Sequence, residues 1–167
     1  MILRYWRQEG RRLWMDCEIG SFHWDMPKKW KLAKTHPDLL KLAEWVLLDP
    51  WTPGIIDNHE WSRKHGKRPG LSFSGGIEST AAMLIMPRDT AIAYHERDFE
   101  SMLKHDNAKR FIKRLRWRHF KKVTVVKSDH EKIRTHFGKA NGFATDLACA
   151  VHLILLADYL DLDSISV

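Results

Sequence analysis

The stretch at 69–86 constrains the fold of this chain more than any other part of the sequence. Residues 70–73 form a short apolar run after a Pro-Gly break, which predicts a buried parallel strand. The Ser-Gly-Gly turn at 74–76 follows, and residues 78–86 predict a helix that ends before a proline. A strand, a Gly-Gly turn and a helix N-terminus together predict an anion-binding site, because the first amides of the helix point at the ligand.

The same stretch has two other interpretations. An ordinary strand-to-helix turn of an α/β domain, capped by Ser74 and Ser79, would have the same local pattern. A Walker A phosphate loop needs Gly-x-x-x-x-Gly-Lys-Ser/Thr, and residues 70–80 contain no lysine. The sequence therefore excludes a Walker A loop and leaves the anion site and the plain turn as alternatives.

Ser74-Gly75-Gly76-Ile77-Glu78-Ser79 resembles the PP-loop of the N-type ATP pyrophosphatases, the adenine nucleotide alpha-hydrolase superfamily with the HUP fold. That family's pattern is Ser-Gly-Gly-x-Asp-Ser, so Glu78 places its carboxylate one methylene further out. The layout is most similar to the 7-cyano-7-deazaguanine synthase-like branch, although the cysteine zinc site of those enzymes is absent from this sequence. The resemblance implies that ATP and Mg²⁺ bind here, and that a substrate is adenylated at the α-phosphate with release of pyrophosphate.

The resemblance also implies roles for individual residues. Expected catalytic residues are Ser74, Glu78 and Ser79, and Glu78 is an expected metal ligand. Asp129 is a second expected metal ligand, or a ribose contact, because it lies at the carboxyl end of a predicted strand. Expected nucleotide-binding residues are Ser72, Ser74, Gly75, Gly76, Ile77, Glu78, Ser79, Thr80, Tyr94 and His95. A mixed-charge surface loop is the alternative for the side chains of Tyr94 and His95. Helix capping is the alternative for Asp129, and also for Thr145 and Asp146 in a loop that resembles one flanking the nucleotide.

From residue 69 onward, strands and helices alternate at the spacing of βαβ units. This rhythm predicts an α/β fold: a Rossmann-like parallel sheet of four or five strands with helices on both faces. The predicted strands are 70–73, 90–94, 123–126 and 163–167, and the predicted helices are 78–86, 99–103, 107–119, 130–137 and 146–160. We expect the sheet to be incomplete at its C-terminal end, to be completed by a partner chain or a second copy.

The first 68 residues predict a small appendage, so that the chain divides into units at 1–68 and 69–167. Residues 2–8 and 11–19 predict a β-hairpin with Gly10 in the turn, 21–34 an irregular segment, and 37–48 a helix. Seven of the eight tryptophans fall in this part. Such density favours a core and a seam with the main unit over a substrate-stacking role.

The positive charge is concentrated in one segment. Residues 104–122 hold nine Lys or Arg and one acid. The net charge of this segment, +8, exceeds the net charge of +7 of the whole chain. A basic helix with an aromatic residue favours contact with tRNA or DNA, and a solvated helix face is the alternative. The candidate nucleic-acid contacts are Lys109, Arg110, Lys113, Arg114, Arg116, Trp117 and Arg118. A non-catalytic nucleotide-binding or interaction protein is a further alternative to the enzyme.

The composition indicates where in the cell the protein is expected to function. No window approaches 18 uncharged apolar residues, and the start lacks the apolar core of a signal peptide, so no membrane association is expected. The two cysteines, Cys17 and Cys149, are far apart in sequence and favour a reducing, cytoplasmic location. His59 and His65 are interpreted as loop residues, and His152 as a core histidine within an apolar helix.

Overall fold

The computed structural model describes residues 5–48, 51, 59–99, 106–118, 122–138 and 148–167. In these residues the strands are β1 (Tyr5–Glu9), β2 (Arg12–Cys17), β3 (Gly20–Asp25), β4 (Arg68–Ser72), β5 (Ala91–Arg97), β6 (Val123–Ser128) and β7 (Leu162–Ser166). The helices are α1 (Pro37–Leu48), α2 (Ile77–Ile85), α3 (Asp106–Arg118), α4 (Ile133–His136) and α5 (Val151–Leu160). Single 3₁₀ turns lie at Leu32–Lys34, His130–Lys132 and Ala148–Ala150.

All seven strands belong to one mixed sheet in the order β1-β2-β3-β6-β5-β4-β7. Strands β1 to β3 form an antiparallel meander, and β3 pairs antiparallel with β6 through Trp24 opposite Ser128 and Asp25 opposite Lys127. Strands β6, β5, β4 and β7 are parallel to one another. The N-terminal meander therefore extends the same sheet that contains the parallel strands.

Alternation of side chains along the parallel strands separates two apolar layers, as the pleat of a strand requires. Ala91 and Ala93 of β5 belong to a large cluster that includes α1, α5 and the meander. Ile92 and Tyr94, the intervening residues, belong to a smaller cluster that includes residues of α2 and α3. We call the first layer the α5 face and the second the α3 face. Gly70 allows close packing on the α5 face, where an added Cβ would lie 2.8 Å from Leu162 Cδ1.

The predicted α/β class is confirmed, but the predicted sheet is too small. The sheet has seven strands and is mixed, because three N-terminal strands join it antiparallel. The expected hairpin is present, with Gly10 at φ +60° in its turn. The prediction of an irregular segment at 21–34 was wrong, since β3 lies there between β2 and β6. Trp24 and Met26 are fully buried, and this tertiary pairing is not visible in local sequence.

The bounds of most helices and of the last strand agree more closely with the predicted bounds. α1 has the predicted bounds, and α2, α3 and β7 begin one residue earlier than predicted. The long final helix begins at Val151 and not at 146, after a 3₁₀ turn. The predicted helix at 99–103 and the loop with Thr145 and Asp146 lie outside the described residues, apart from Phe99. No helix among the described residues combines the length and apolar character needed to cross a bilayer.

Candidate functional site

A cleft of about 420 Å³ lies where β4 passes into α2. Its lining consists of Leu71, Ser72, Ser74, Glu78, Ser79, Ala82 and Val167. β4 and β7 are adjacent and parallel, while α2 packs on the α3 face and α5 on the α5 face. Where the helices connected to two adjacent parallel strands pack on opposite faces of the sheet, a crevice forms at the carboxyl ends of those strands. The cleft lies at such a point.

Hydroxyl groups of the loop bond to one another and to one carbonyl. Ser74 Oγ lies 3.0 Å from Ser79 Oγ, and Gly76 N donates to Ser74 Oγ at 3.2 Å. Ser79 Oγ and Thr80 Oγ1 donate to Gly76 O at 3.2 and 2.7 Å. Gly76 is the N-cap of α2 and has no side chain to bond the first helical amides, so those amides are open to a ligand.

Gly75 has a backbone that favours glycine. Its φ is +81°, and an added Cβ would lie 2.8 Å from the Ala108 Cβ of α3. The loop therefore needs glycine here both for its left-handed conformation and for the close approach of α3. α3 thereby buttresses the loop from the side of the α3 face.

Of the predicted site residues, Ser72, Ser74, Glu78 and Ser79 line the cleft together. Ile77 is 90% exposed, so its side chain is open to solvent. Tyr94 is buried in the apolar layer of the α3 face, where burial, with a smaller contribution from Glu96, raises the pKa of its phenol to about 12. Leu71, Ala82 and Val167 were missed as lining residues, because apolar side chains give no chemical signal in sequence.

Asp129, predicted as a metal ligand together with Glu78, has other partners. Its carboxylate accepts a hydrogen bond from His23 N at 2.8 Å and lies 2.9 Å from His23 Nδ1. Burial alone would raise the pKa of Asp129, but the His23 contacts outweigh burial and lower it. These contacts join β3 to the turn after β6, whereas Glu78 is in the cleft beside β4. The structure does not bring the two carboxylates together in the cleft lining.

His95 lies on the α5 face within a buried polar cluster that the sequence did not reveal. Its Nδ1 is 3.4 Å from Glu131 Oε1, and Arg97 Nε donates to Glu131 Oε2 at 2.8 Å. Burial lowers the pKa of His130, in van der Waals contact with His95, to about 3. Burial would raise the pKa of Glu131, but His95 and Arg97 outweigh it and lower the pKa to about 2. The polar run at 128–131, which begins at the last residue of β6, does not by itself indicate the contact with His95.

The basic residues of α3 form a second candidate surface. Arg110, Lys113, Arg114 and Trp117 line a depression of about 430 Å³, and Trp117 is 84% exposed. Two other predicted contacts have partners within the chain. Lys109 Nζ is 2.8 Å from Glu96 Oε1, and the Arg116 guanidinium donates to Val123 O at 2.6 Å. The Arg118 side chain lies outside the described part of the chain.

No protein-family model, curated protein sequence or solved structure matches this chain. The geometry of the cleft, the exposed basic helix and the resemblance of the loop are the features that bear on function.

Proposed function

We propose that the cleft binds ATP, with the phosphates at the Ser-Gly-Gly loop, and that the protein adenylates a substrate at the α-phosphate and releases pyrophosphate. The main support for this proposal is the cleft, in which Ser74, Glu78 and Ser79 lie together at the carboxyl end of β4. Exposed hydroxyls and open helical amides at one point suit a polyanionic ligand. The chain would then be a PP-loop protein that acts in the cytoplasm and depends on Mg²⁺.

The order of the parallel strands supports this assignment. β6-β5-β4-β7 run in the sheet as third, second, first and fourth of the parallel strands in chain order. This is the arrangement of one half of a Rossmann-like sheet, in which nucleotides bind beside the first strand where the order reverses. The cleft occupies that position between β4 and β7.

The residues of the cleft fit Mg²⁺ as a companion of ATP. Mg²⁺ is usually held by one or two carboxylates together with phosphate oxygens, and Glu78 supplies an exposed carboxylate in the cleft wall. When bound, the ion would neutralise phosphate charge. The chain's own contribution is to hold the phosphates through the amides at 75–79 and the hydroxyls of Ser74, Ser79 and Thr80, so that the α-phosphorus is presented to an incoming carboxylate or oxygen.

Calorimetric titration with ATP·Mg tests the binding step. The double variant Ser74→Ala/Ser79→Ala is expected to weaken binding about 10²- to 10⁴-fold, since it removes two hydroxyls and each hydrogen bond to a charged group contributes about 1.5–3 kcal/mol. Ser21→Ala is the matched control, because its exposed hydroxyl contacts Asp16 in the meander. A folded wild-type protein that gives no binding would contradict the proposal.

ATP labelled at the α-phosphate tests the reaction. Release of AMP with pyrophosphate from wild type, lost in Glu78→Gln, is expected of the enzyme. Binding without any AMP in the presence of candidate acceptors would favour a non-catalytic nucleotide-binding protein on the same fold.

We infer a second function, contact with single-stranded tRNA or DNA, from the exposed face of α3. The observation that favours it is Trp117, which is 84% exposed beside Arg110, Lys113 and Arg114. An exposed indole between guanidinium and ammonium groups can stack on a base while the cations contact phosphates. A nucleic-acid acceptor for the adenylation would unite both surfaces, because α3 also contacts the loop through Ala108.

Filter binding to single-stranded RNA and DNA at rising salt tests this second function. Trp117→Ala is expected to weaken binding about 5- to 100-fold, since stacking on a base contributes about 1–3 kcal/mol. Trp61→Ala is the control, because Trp61 is 50% exposed but lies against His59 and away from the basic helix. Equal losses in both variants, or binding that does not respond to salt, would count against the proposed surface.

A further inference from the structure

A buried group of ring nitrogens and one carboxylate lies on the α5 face at the carboxyl ends of β5 and β6. His95, His130 and Glu131 each offer a ligand atom, and these atoms lie within 4.8 Å of one another. The His95 and Glu131 side chains are 7% and 0% exposed, and His130 is fully buried. The ring of His152 in α5 stacks 5.8 Å from that of His95.

Two buried atoms of this group have no hydrogen-bond partner. They are His95 Nε2 and Glu131 Oε1. The 3.4 Å contact between His95 Nδ1 and Glu131 Oε1 lacks the geometry of a hydrogen bond. A buried polar atom without a partner costs free energy, and native proteins rarely leave such atoms unsatisfied without a ligand or a water molecule.

Both ring nitrogens of His130 have a hydrogen-bond partner. Its Nε2 lies 3.0 Å from Ala148 O, which can only accept, so Nε2 carries the proton and Nδ1 of the neutral ring is a lone pair. Ser128 Oγ lies 2.8 Å from Nδ1 and 2.5 Å from His23 O. A metal ion bound at Nδ1 would therefore replace the contact of Nδ1 with Ser128 Oγ, which would keep its hydrogen bond to His23 O.

We propose that His95, His130 and Glu131 bind a divalent transition-metal ion of the zinc type. Imidazole nitrogen and carboxylate oxygen are a common donor set for such ions, and the ion would satisfy the buried atoms that lack a hydrogen bond, His95 Nε2 and Glu131 Oε1. Ligand atoms within 4.8 Å of one another need to close by at most about 1.5 Å to surround an ion with tetrahedral bonds of about 2.0–2.2 Å. The site is separate from the proposed ATP cleft.

The surroundings of the three ligands already resemble the outer shell of a metal site. Ligating histidines usually donate their second N–H to a carbonyl or carboxylate, as His130 Nε2 does to Ala148 O. Ligating carboxylates are usually held through their other oxygen, as Arg97 holds Glu131 Oε2 at 2.8 Å. Both contacts orient the donors without occupying the atoms assigned to the metal.

A second cluster, His23 with Asp25 and Asp98, provides a contrast. Its groups are already paired: His23 Nε2 is 3.1 Å from Asp98 Oδ2, and Asp98 Oδ1 is 2.6 Å from Lys127 Nζ. Asp25 accepts from Arg12 at 2.7 and 3.1 Å. The polar atoms of this second cluster are therefore already paired within the chain, and we assign no metal to the cluster.

Elemental analysis of the untagged, dialysed protein is the first test. We expect about one equivalent of zinc or another first-row metal, and a fall in the melting temperature on chelation that ZnCl₂ reverses. This readout needs no variant, so it holds even if substitutions in the cluster impair folding. Protein that contains no metal, takes up none from ZnCl₂ after refolding and keeps its melting temperature with a chelator would overturn the proposal.

Substitutions then locate the ion. His95→Gln and Glu131→Gln are expected to lose stoichiometric metal, and His65→Ala, an exposed histidine control, is expected to retain it. Cobalt-loaded wild type is expected to show the visible absorption of a four-coordinate ion with nitrogen and oxygen ligands, absent in His95→Gln. Stoichiometric metal in both cluster variants would show that the ion binds elsewhere and would refute the assignment.

Discussion

The two faces of the sheet are built differently. The α5 face packs residues of the meander, α1 and α5 into a large core in which Leu13, Trp24, Leu153 and Leu155 are fully buried. The α3 face has a smaller core, and its two helices leave large apolar side chains in solvent. Ile77, Leu84 and Ile85 of α2 and Trp117 of α3 are 75–90% exposed.

The hydrogen bonds follow the same division. On the α5 face they join distant parts of the chain, as when Trp30 Nε1 donates to Leu155 O at 2.9 Å and Trp6 Nε1 to Glu44 Oε1 at 2.6 Å. In the loop they join residues at most five apart, from 74 to 80. One face therefore provides stability, and the other presents groups that a ligand or partner can still engage.

The largest expected effect separates two tryptophans, one on each face. Trp24 is fully buried, 5.5 Å from Trp6 and 5.4 Å from His130 in ring-centroid distance. Trp24→Ala is expected to lower the free energy of unfolding by about 3–5 kcal/mol, because it leaves a cavity in the core. Urea denaturation followed by circular dichroism measures the change.

Trp117→Ala is the matched substitution on the α3 face. Because the side chain is 84% exposed, the change in unfolding free energy should stay within about 0.5 kcal/mol. Equal losses in the two variants would mean that both faces contribute alike to stability, and the comparison would fail.

Gly75→Ala is expected to have the next largest effect, about 1–3 kcal/mol, and to weaken ATP binding. The substitution combines a positive φ with a Cβ contact of 2.8 Å to Ala108. Gly10→Ala is the control, because Gly10 also has a positive φ but nothing within 4 Å of an added Cβ. Thermal melts of both variants would isolate the steric contribution of Ala108; a smaller loss at Gly75 than at Gly10 would argue against close packing of α3 on the loop.

The ionised carboxylate of Asp38 is expected to make the stability of the fold depend on pH in the acid range. Burial would raise the pKa of Asp38, but the amides of Arg63 and Ser62 and the His59 ring outweigh it and lower the pKa to about 2. A folded-state pKa below the usual 3.8 means that ionised Asp38 stabilises the fold fully above pH 3.8. That contribution is lost as the pH falls through about 2.

Denaturation midpoints of wild type and Asp38→Asn, compared from neutral pH downward, test this prediction. The variant should be less stable at neutral pH, and the difference should narrow as the pH falls toward about 2. Other carboxylates titrate in both proteins, so the difference isolates Asp38. A gap that is constant with pH would disprove the assigned role.

A small effect is also expected for Lys109→Ala. Its ion pair with Glu96 spans 2.8 Å, but the lysine is 48% exposed, and exposed pairs contribute about 0–1 kcal/mol. The melting temperature should change little and the change should diminish with added salt. A large loss of stability would show that the α3 face depends on its surface charges more than its packing indicates.

Much of the parallel part of the fold was predictable, because each strand and helix there has its own local pattern. The apolar run before the Ser-Gly-Gly turn and the β-branched run at 123–126 correspond to β4 and β6. β3 was missed because its stability comes from pairing with β2 and β6 across distant sequence. The clustering of Glu78 with Ser74 and Ser79 followed from chain proximity. The cluster of His95, His130 and Glu131 arises from tertiary packing, and no spacing rule could indicate it.

The antiparallel seam between β3 and β6 has a consequence for dissection of the chain into fragments. The core of the α5 face takes Trp24, Trp30 and Leu47 from before residue 51 and Val126 and Leu155 from after residue 59. A polypeptide cut between these positions would yield two pieces that each expose half of one core. We expect such pieces to aggregate singly and to reassemble when co-expressed, so that the chain behaves as a natural candidate for split-protein complementation.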